Sequence, residues 1–220
     1  MKRVPTPEWL DYDQGTSAEV EGTLADLQRI NLWFGGITTA RAIISRVTQT
    51  TGKSSFSMLE VAAGAGFVPL RIRQQLRDRG ANLDLVLLDR SASHLNGNSG
   101  IVADALSLPF ADNTFDLVSS TLFVHHLSPE QVVSFAKEAL RVAKTAVIVN
   151  DLIRHRLHLI LVYAGFPLYR SRITRHDAPA SVLQAYTTSE MRDLLNQADA
   201  KRVEITRHYL FRMGVIAWKR

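Results

Sequence analysis

The chain has 220 residues, of which 46% are hydrophobic, so it is long enough to bury the core of one α/β domain. It contains no cysteine, which excludes disulfide bonds, thiolate metal sites and every mechanism that needs a cysteine nucleophile. No apolar run reaches the roughly 18 residues of a membrane span, and no apolar signal core follows residues 1–8. We therefore expect a soluble, cytoplasmic protein.

The net charge is +5, and the charged residues are unevenly distributed. The first 26 residues are mostly acidic, whereas arginines and histidines gather in residues 154–176 and basic residues again in 201–220. Such clusters can bind nucleic acid, an anionic surface or an acidic substrate. A solvated basic face is the commoner explanation, so charge alone does not select a partner.

Two helices are predicted before the first strand, over Ser17–Ile30 and Thr38–Gln49. The turn between them carries Trp33 and Phe34 ahead of two glycines. We expect residues 1–50 to form a helical extension that acts as a lid, in which the aromatic rings either contact a ligand or pack in the core.

From residue 56 to residue 150, apolar strands alternate with amphipathic helices, which predicts a parallel sheet with helices on both faces. Pro129 is predicted to start the helix over 130–143. Near the end, Thr188 opens a helix with Ser189 as its cap. Residues 202–209 and 211–218 follow as a terminal strand pair. The other predicted strands include Leu83–Leu88, Ile101–Ala105 and Thr145–Asn150.

The strand that contains Met58 ends in a turn of small residues, 62–66, with glycine at positions 64 and 66. Glycine accepts backbone dihedral angles forbidden to larger residues and lets a ligand approach the main chain closely. A helix predicted over 68–79 follows, so its free N–H groups face the same ligand. The turn alone is a weak signal, because many kinds of cofactor-binding protein use one.

Acids stand at the ends of three successive strands: Glu60 in the first, Asp89 after the second and Asp104 after the third. In open parallel sheets, an acid one strand-helix-strand unit after the glycines contacts ribose hydroxyls. Each acid also has a simpler explanation, such as helix capping by Asp89 or a solvated loop position for Asp104. Their common register predicts a nucleoside site.

Four motifs, in this order and spacing, resemble those of class I S-adenosylmethionine-dependent methyltransferases. They are Glu60 with residues 62–66, Asp89, Asp104 with Ala105, and the stretch 108–118. The resemblance implies a Rossmann-like α/β fold: a seven-stranded, mostly parallel sheet with helices on both faces and an antiparallel last strand. It departs from the family pattern at Ala62, where the family has glycine.

The resemblance also implies S-adenosylmethionine as the cofactor. The turn would hold its methionine part, Asp89 its ribose diol and Asp104 its adenine amine, while Trp33 could stack on the adenine or the substrate. We identify no convincing set of metal ligands. The candidate cofactor-binding residues are Glu60, Ala62, Gly64, Gly66, Asp89, Arg90, Asp104, Ala105, Thr121 and Trp33.

Substrate groups should come from the loops after the fourth and fifth strands. After the fourth strand, family members that methylate base amino groups carry an acid or Asn followed by Pro-Pro-aromatic, and this chain does not. His125 and His126 lie there and are the candidate catalytic bases, because imidazole takes up a proton near neutral pH. Neighbouring residues at a strand end point apart, so at most one should face the substrate. A structural hydrogen bond is the alternative role.

Asn150 and Asp151, which end the fifth strand, are secondary candidates for holding a substrate hydroxyl or for capping the next helix. Within the expected methyltransferase domain, 51–220, residues 154–186 form an insertion. It contains an apolar helix flanked by arginine and histidine and too short to span a bilayer. The insertion could cover an apolar substrate, contact a membrane surface or another subunit, or complete the core.

The sequence thus predicts methyl transfer from S-adenosylmethionine to a hydroxyl or activated carbon of a small, apolar or aromatic metabolite. RNA methylation, suggested by the basic clusters, is one alternative. A cofactor-binding regulatory protein without catalysis is another. The sequence selects neither the acceptor atom nor the oligomeric state.

Overall fold

The computed structural model describes residues 1–12, 14–95 and 99–219. Asp13 of the acidic N-terminal stretch and Arg220 of the second basic cluster lie outside these residues. The α-helices are α1 (Ser17–Trp33), α2 (Gly36–Thr51), α3 (Phe67–Arg77), α4 (Pro129–Val142), α5 (Arg156–Ala164), α6 (Arg172–Gln184) and α7 (Thr188–Asn196). The strands are β1 (Phe56–Val61), β2 (Leu83–Asp89), β3 (Ile101–Val102), β4 (Phe115–Thr121), β5 (Ala143–Leu152), β6 (Arg202–His208) and β7 (Arg212–Trp218). Short 3-10 turns lie at Leu10–Tyr12, Val124–His126 and Phe166–Leu168.

The strands form one seven-stranded sheet in the order β3-β2-β1-β4-β5-β7-β6. Neighbouring strands are parallel except that β7 runs antiparallel to both β5 and β6. The central strands are nearly continuous apolar runs because helices cover the sheet on both faces. The predicted fold class, including the antiparallel last strand, is confirmed.

Two apolar layers hold the helices to the sheet. On one face, Ile43 and Val47 of α2 pack with Met58 of β1 and with α3. On the other face, Phe135 of α4 and Met191 of α7 pack with the alternate residues of the same strands. Since α2 belongs to the core, the predicted boundary at residue 50 does not follow the packing, and only the part of the chain before α2 remains available as a lid.

Helix ends follow local capping chemistry. Ser128 caps α4 and Pro129 occupies its first turn, as predicted. For α7, however, the N-cap is Thr187, whose side chain accepts from the Glu190 N–H while the Glu190 side chain binds back to Thr187 N–H. The predicted cap, Ser189, is therefore wrong and lies inside the first turn.

The N-terminal segment and the insertion meet at the carboxyl end of the parallel strands. Helix α6 contacts both α1 and α5, as well as the turn that follows β4. The N-terminal segment is hydrogen-bonded to α6 through Val4 N–H and Leu183 O and through Trp9 N–H and Asp177. These elements therefore border the edge where open parallel sheets bind ligands. Within the described residues, no helix combines the length and hydropathy needed to cross a membrane.

Candidate cofactor and acceptor site

The turn after β1 is built from left-handed residues. Gly64 and Gly66 have φ of 51° and 69°, values that favour glycine. A Cβ on Gly66 would lie 2.8 Å from a methyl carbon of Leu87, whereas a Cβ on Gly64 would meet nothing within 4 Å. Gly66 is thus required for packing, and the open side of Gly64 leaves room for a ligand against the main chain. Ala62 also adopts a left-handed φ of 54°, at a cost of about 1 kcal/mol that a glycine would avoid.

Asp89, at the end of β2, organises this turn. One carboxylate oxygen accepts the Gly64 N–H at 2.9 Å, and the other accepts from Ser91 N–H at 3.2 Å and contacts His94 Nδ1 at 3.1 Å. Burial raises the pKa of Asp89, but the bonds from His94, Gly64 and Ser91 outweigh burial and leave the pKa below its ordinary value. The carboxylate is therefore ionised and fixed next to the glycine turn, where the resemblance places the ribose.

Glu60 lies beneath the turn. Its side chain is 2% exposed and is hydrogen-bonded to Ser119 and Thr121 on β4. Burial raises the pKa of Glu60 to about 7, against the lowering effect of those hydroxyls. Glu60 and Thr121 line a small cavity between the sheet and α2, together with Asn150. Glu60 and Thr121 thus contact each other, and their contact with the cofactor stays a prediction.

Asp104 and Arg90 occupy the β2–β3 side of the edge. Asp104 is exposed, and its carboxylate accepts the Leu106 N–H at 2.9 Å, which turns the chain directly after β3. Ala105, partly buried, packs against the core beside it. Arg90 donates to the Asp11 carbonyl at 2.7 Å and so ties the N-terminal segment to the end of β2.

Trp33 is placed away from the expected adenine position. It ends α1, is 60% exposed and precedes Gly36, whose carbonyl accepts from Asn150 at the end of β5. The β5 strand lies four strand spacings from β3, about 19 Å at roughly 4.8 Å each. The structure therefore does not bring Trp33 and Asp104 together, and stacking of Trp33 on the cofactor or the substrate stays a prediction.

The two candidate histidines do not end a strand. They belong to the 3-10 turn Val124–His126, and their rings lie 4.1 Å apart between centroids. The chain turns there because Leu122 adopts a left-handed φ of 55° after β4. The expectation that neighbouring side chains point apart is wrong for this pair.

His125 is buried between two carboxylates. Its Nδ1 lies 2.6 Å from Asp151, its Nε2 lies 3.6 Å from Glu8, and it is 3% exposed. Burial alone would lower its pKa, but Asp151 and then Glu8 outweigh burial and raise the pKa to about 10. Both nitrogens of this buried ring face carboxylates, so neither is open to accept a proton from a substrate. The prediction of His125 as a base is therefore wrong.

The two secondary candidates at the end of β5 differ. Asp151 is 2% exposed and accepts from His125 N–H and Leu152 N–H in addition to the ring contact. Asn150 donates through Nδ2 to Gly36 O at 2.8 Å, but its buried Oδ1 has no hydrogen-bond partner among the described residues. Asp151 is thus fully engaged, whereas Asn150 keeps one free acceptor, and neither residue caps α5, whose N-cap is His155.

His126 has a different environment. Its Nδ1 lies 2.9 Å from an Asp11 carboxylate oxygen, and its side chain is 22% exposed. Burial raises the pKa of Asp11, but the bond to His126 and the charges of His126, Arg90 and His125 together outweigh burial and leave the pKa below its ordinary value. Across the described parts of the chain, no hydrogen bond or ion pair engages Nε2 of His126. An oriented imidazole with one open nitrogen is the arrangement of a general base.

The side chains of Glu8, His125 and His126 also bring possible metal-ligand atoms within 4.8 Å of one another. Within this group, His125 Nε2 lies 3.6 Å from Glu8 as an ion pair. Sequence reasoning missed Glu8, Asp11 and His94. Glu8 and Asp11 were noted only as part of an acidic stretch, because nothing in the sequence links them to residues more than 100 positions away.

The strand order, the left-handed turn after β1 and the acid after β2 are those of a Rossmann-like methyltransferase fold. Comparison with known proteins agrees. Residues 59–149 match the family model described as methyltransferase domain. These residues contain the glycine turn, Asp89, Asp104 and both histidines of the 3-10 turn.

A relative and two solved structures illustrate the likeness. The chain is 32% identical over 101 residues to the ubiquinone/menaquinone biosynthesis C-methyltransferase UbiE of Rickettsia prowazekii, a match that spans 40% of each chain. A SAM-dependent methyltransferase from Aquifex aeolicus superposes with a TM-score of 0.61 at 17% identity, covering 92% of this chain and 98% of that one. The citrinin polyketide synthase CMeT domain superposes with a TM-score of 0.60 at 12% identity, covering 81% and 51%. The structural matches show a shared fold.

Proposed function

We propose that this protein transfers a methyl group from S-adenosylmethionine to a hydroxyl or activated carbon of a small apolar or aromatic molecule. The observation that carries the proposal is the pairing of two sites at one sheet edge. The glycine turn with Asp89 forms the cofactor half, and His126 with Asp11 forms the acceptor half. Names of similar proteins, a quinone-pathway C-methyltransferase and a polyketide synthase methyltransferase domain, support an aromatic or enolisable acceptor.

The described residues fit the cofactor. The open side of Gly64 admits its methionine part against the main chain. The Asp89 carboxylate can exchange its Gly64 contact for ribose hydroxyls, and the exposed Asp104 can accept from an amine. When bound, the cofactor supplies a sulfonium methyl group, and its sulfur receives the electron pair of the bond that breaks.

The chain's own residues would prepare the acceptor. His126 Nε2 takes the proton from the acceptor hydroxyl or carbon, while Asp11 holds Nδ1 and stabilises the imidazolium that forms. The freed electron pair forms the new bond to the methyl carbon. Alignment of the two reactants provides the rest of the rate enhancement.

Part of the basic cluster that suggested RNA is neutralised within the protein. Arg154 pairs with Glu190 at 2.5 Å, and Arg172 pairs with Glu19. A small-molecule acceptor is therefore the better supported proposal. RNA methylation would require binding that weakens steeply with added salt, which a filter-binding assay measures.

The first test is calorimetric titration with S-adenosylmethionine and S-adenosylhomocysteine, followed by a screen of phenolic and enolisable acceptors. Once turnover is found, His126→Gln should lower kcat by about 10²-fold or more, with cofactor affinity unchanged. His208→Gln on β6 is the matched control and should keep full activity. Absence of cofactor binding by the native protein would overturn the proposed cofactor half. Full activity of the His126 variant would overturn the proposed acceptor half.

A further inference from the structure

Helix α5 presents an unusual outer face. Of its nine residues, only His158 is buried. His158 attaches α5 to the body of the protein by stacking on Phe211 and by its Nδ1 contact with Ile153 O at 3.1 Å. The apolar side chains that remain exposed on α5 are Leu157 at 49%, Ile160 at 61%, Leu161 at 42% and Tyr163 at 51%. A water-facing helix would ordinarily carry polar residues at these positions.

Further exposed apolar residues extend this face. Leu168, in the 3-10 turn after α5, is 60% exposed, and its carbonyl accepts from Arg29 of α1. Trp33 lies one helical turn beyond Arg29 on the same side of α1 and is 60% exposed. We call the exposed side chains of Leu157, Ile160, Leu161, Tyr163, Leu168 and Trp33 the apolar face.

The charge around the apolar face has one sign. Residues 152–176 contain five arginines and no aspartate or glutamate. Arg154 and Arg172 are paired internally, but exposed Arg156 and Arg170 form no ion pair among the described residues. Aliphatic side chains next to Trp, Tyr and unpaired arginines are the composition of protein surfaces that insert into the headgroup region of a bilayer.

We infer that the apolar face docks on an anionic lipid bilayer, with Ile160 and Leu161 in the headgroup region and Arg156 and Arg170 on the lipid phosphates. Charge complementarity selects lipid over a second copy of the chain, since two such faces would bring like-charged arginines together. The helix is too short to span the membrane, so the contact is peripheral.

The docked face also borders the proposed acceptor side. Helix α5 follows β5 directly, and the α1–α2 turn rests on the end of the same strand through Asn150 and Gly36. An apolar acceptor dissolved in the bilayer would therefore approach the same edge of the sheet that carries His126. This step deepens the proposed function, but docking itself is measured without cofactor or acceptor.

The test is co-sedimentation of the full chain with phosphatidylcholine vesicles, with and without phosphatidylglycerol. The native protein should bind the anionic vesicles, and Ile160→Ser/Leu161→Ser should reduce the partition coefficient at least about tenfold. Arg156→Gln/Arg170→Gln should reduce binding to anionic vesicles by a similar factor, because each charge near the surface contributes about 1 kcal/mol. Val102→Ser, which removes an apolar residue 56% exposed on β3, is the matched control and should bind like the native chain.

Two further readouts keep the inference falsifiable. Trp33 fluorescence should shift to shorter wavelength on anionic vesicles, and this shift should vanish in Trp33→Phe. Thermal unfolding should be the same for the serine variant and the native protein, since both replaced residues are exposed. Equal vesicle binding by the native protein and the serine variant overturns the inference. So does sedimentation velocity without lipid in which the native protein is a dimer and the serine variant is a monomer.

Discussion

The cofactor half and the acceptor half of the site are assembled over very different distances along the chain. Gly64 and Asp89, which form the cofactor half, are 25 residues apart. In the acceptor half, Glu8 meets His125 and is fixed by Gln184, from which it is separated by 176 residues. One half is a local strand-turn-helix-strand unit, whereas the other exists only when the N-terminal segment lies across the folded sheet. The two halves should therefore respond differently to substitution.

The largest effect is expected from breaking the acceptor half at His125. His125→Ala leaves Glu8 and Asp151 buried without their shared cation, so the free energy of unfolding should fall by about 3–5 kcal/mol. Urea unfolding measures the change. His126→Ala is the control, and because that side chain is partly exposed it should cost about 1 kcal/mol or less. Equal losses in both variants would contradict the buried ion-pair assignment.

Glu60 provides a pH-dependent test beneath the cofactor half. Its pKa is raised from 4.5 to about 7, so the folded state holds more protons and stability falls as pH rises through that window. Glu60→Gln lacks this fall and should be more stable than the native protein at pH 8, by up to about 3 kcal/mol. At pH 4 the two should be alike. Urea unfolding at a series of pH values across this range measures the effect. If the free energy of unfolding changes equally with pH in both proteins, the assignment is contradicted.

Cofactor affinity should distinguish the two ends of one strand. Asp89→Asn removes the ionised acceptor beside Gly64 and should weaken S-adenosylhomocysteine binding by about 10- to 100-fold, since hydrogen bonds to charged groups contribute about 1.5–3 kcal/mol. Asp84→Asn, at the amino end of β2 and exposed, should bind normally. Calorimetry measures both dissociation constants. If both variants lose affinity equally, the loss is a general effect of charge and the role of Asp89 is contradicted.

The smallest effect concerns the left-handed residue of the turn. Ala62→Gly removes the backbone strain of the left-handed φ of 54°, but it also gives the unfolded chain more conformational freedom. The net effect should be a stabilisation of about 0.5–1 kcal/mol. Ala63→Gly, at a neighbour without positive φ, should instead destabilise it by a similar amount. Thermal unfolding of the pair provides the check, and a loss of stability in both would refute the strain at Ala62.

The same contrast explains what the sequence could predict. The sheet, its antiparallel strand and the cofactor half follow from apolar runs, glycines and acids that lie close together in the chain. The end of β3 was predicted too late, because Asp104 binds Leu106 N–H and turns the chain out of the sheet after Val102. A short polar residue gives little warning of whether it extends a strand or starts a turn.

The acceptor half was predicted only in part. His125 and His126 were identified as a pair, but their different surroundings depend on Glu8, Asp11 and Asp151, which tertiary folding brings to them. The left-handed Leu122, which places both rings together, has no sequence signal because leucine rarely adopts that conformation. Long-range electrostatics and rare dihedral angles therefore account for the corrections.

The acid-free segment has a consequence for how the molecule moves. Its five arginines equal the net charge of the whole chain, so the formal charges of all other residues sum to zero. Arg154 and Arg172 are paired with Glu190 and Glu19, so Arg156, Arg170 and Arg175, which form no ion pair among the described residues, are the positive pole of the molecule's dipole. A dipole is turned by the field of an anionic surface before contact, within a Debye length of about 8 Å at physiological salt. Orientation on arrival, and not only adhesion afterwards, would then depend on ionic strength.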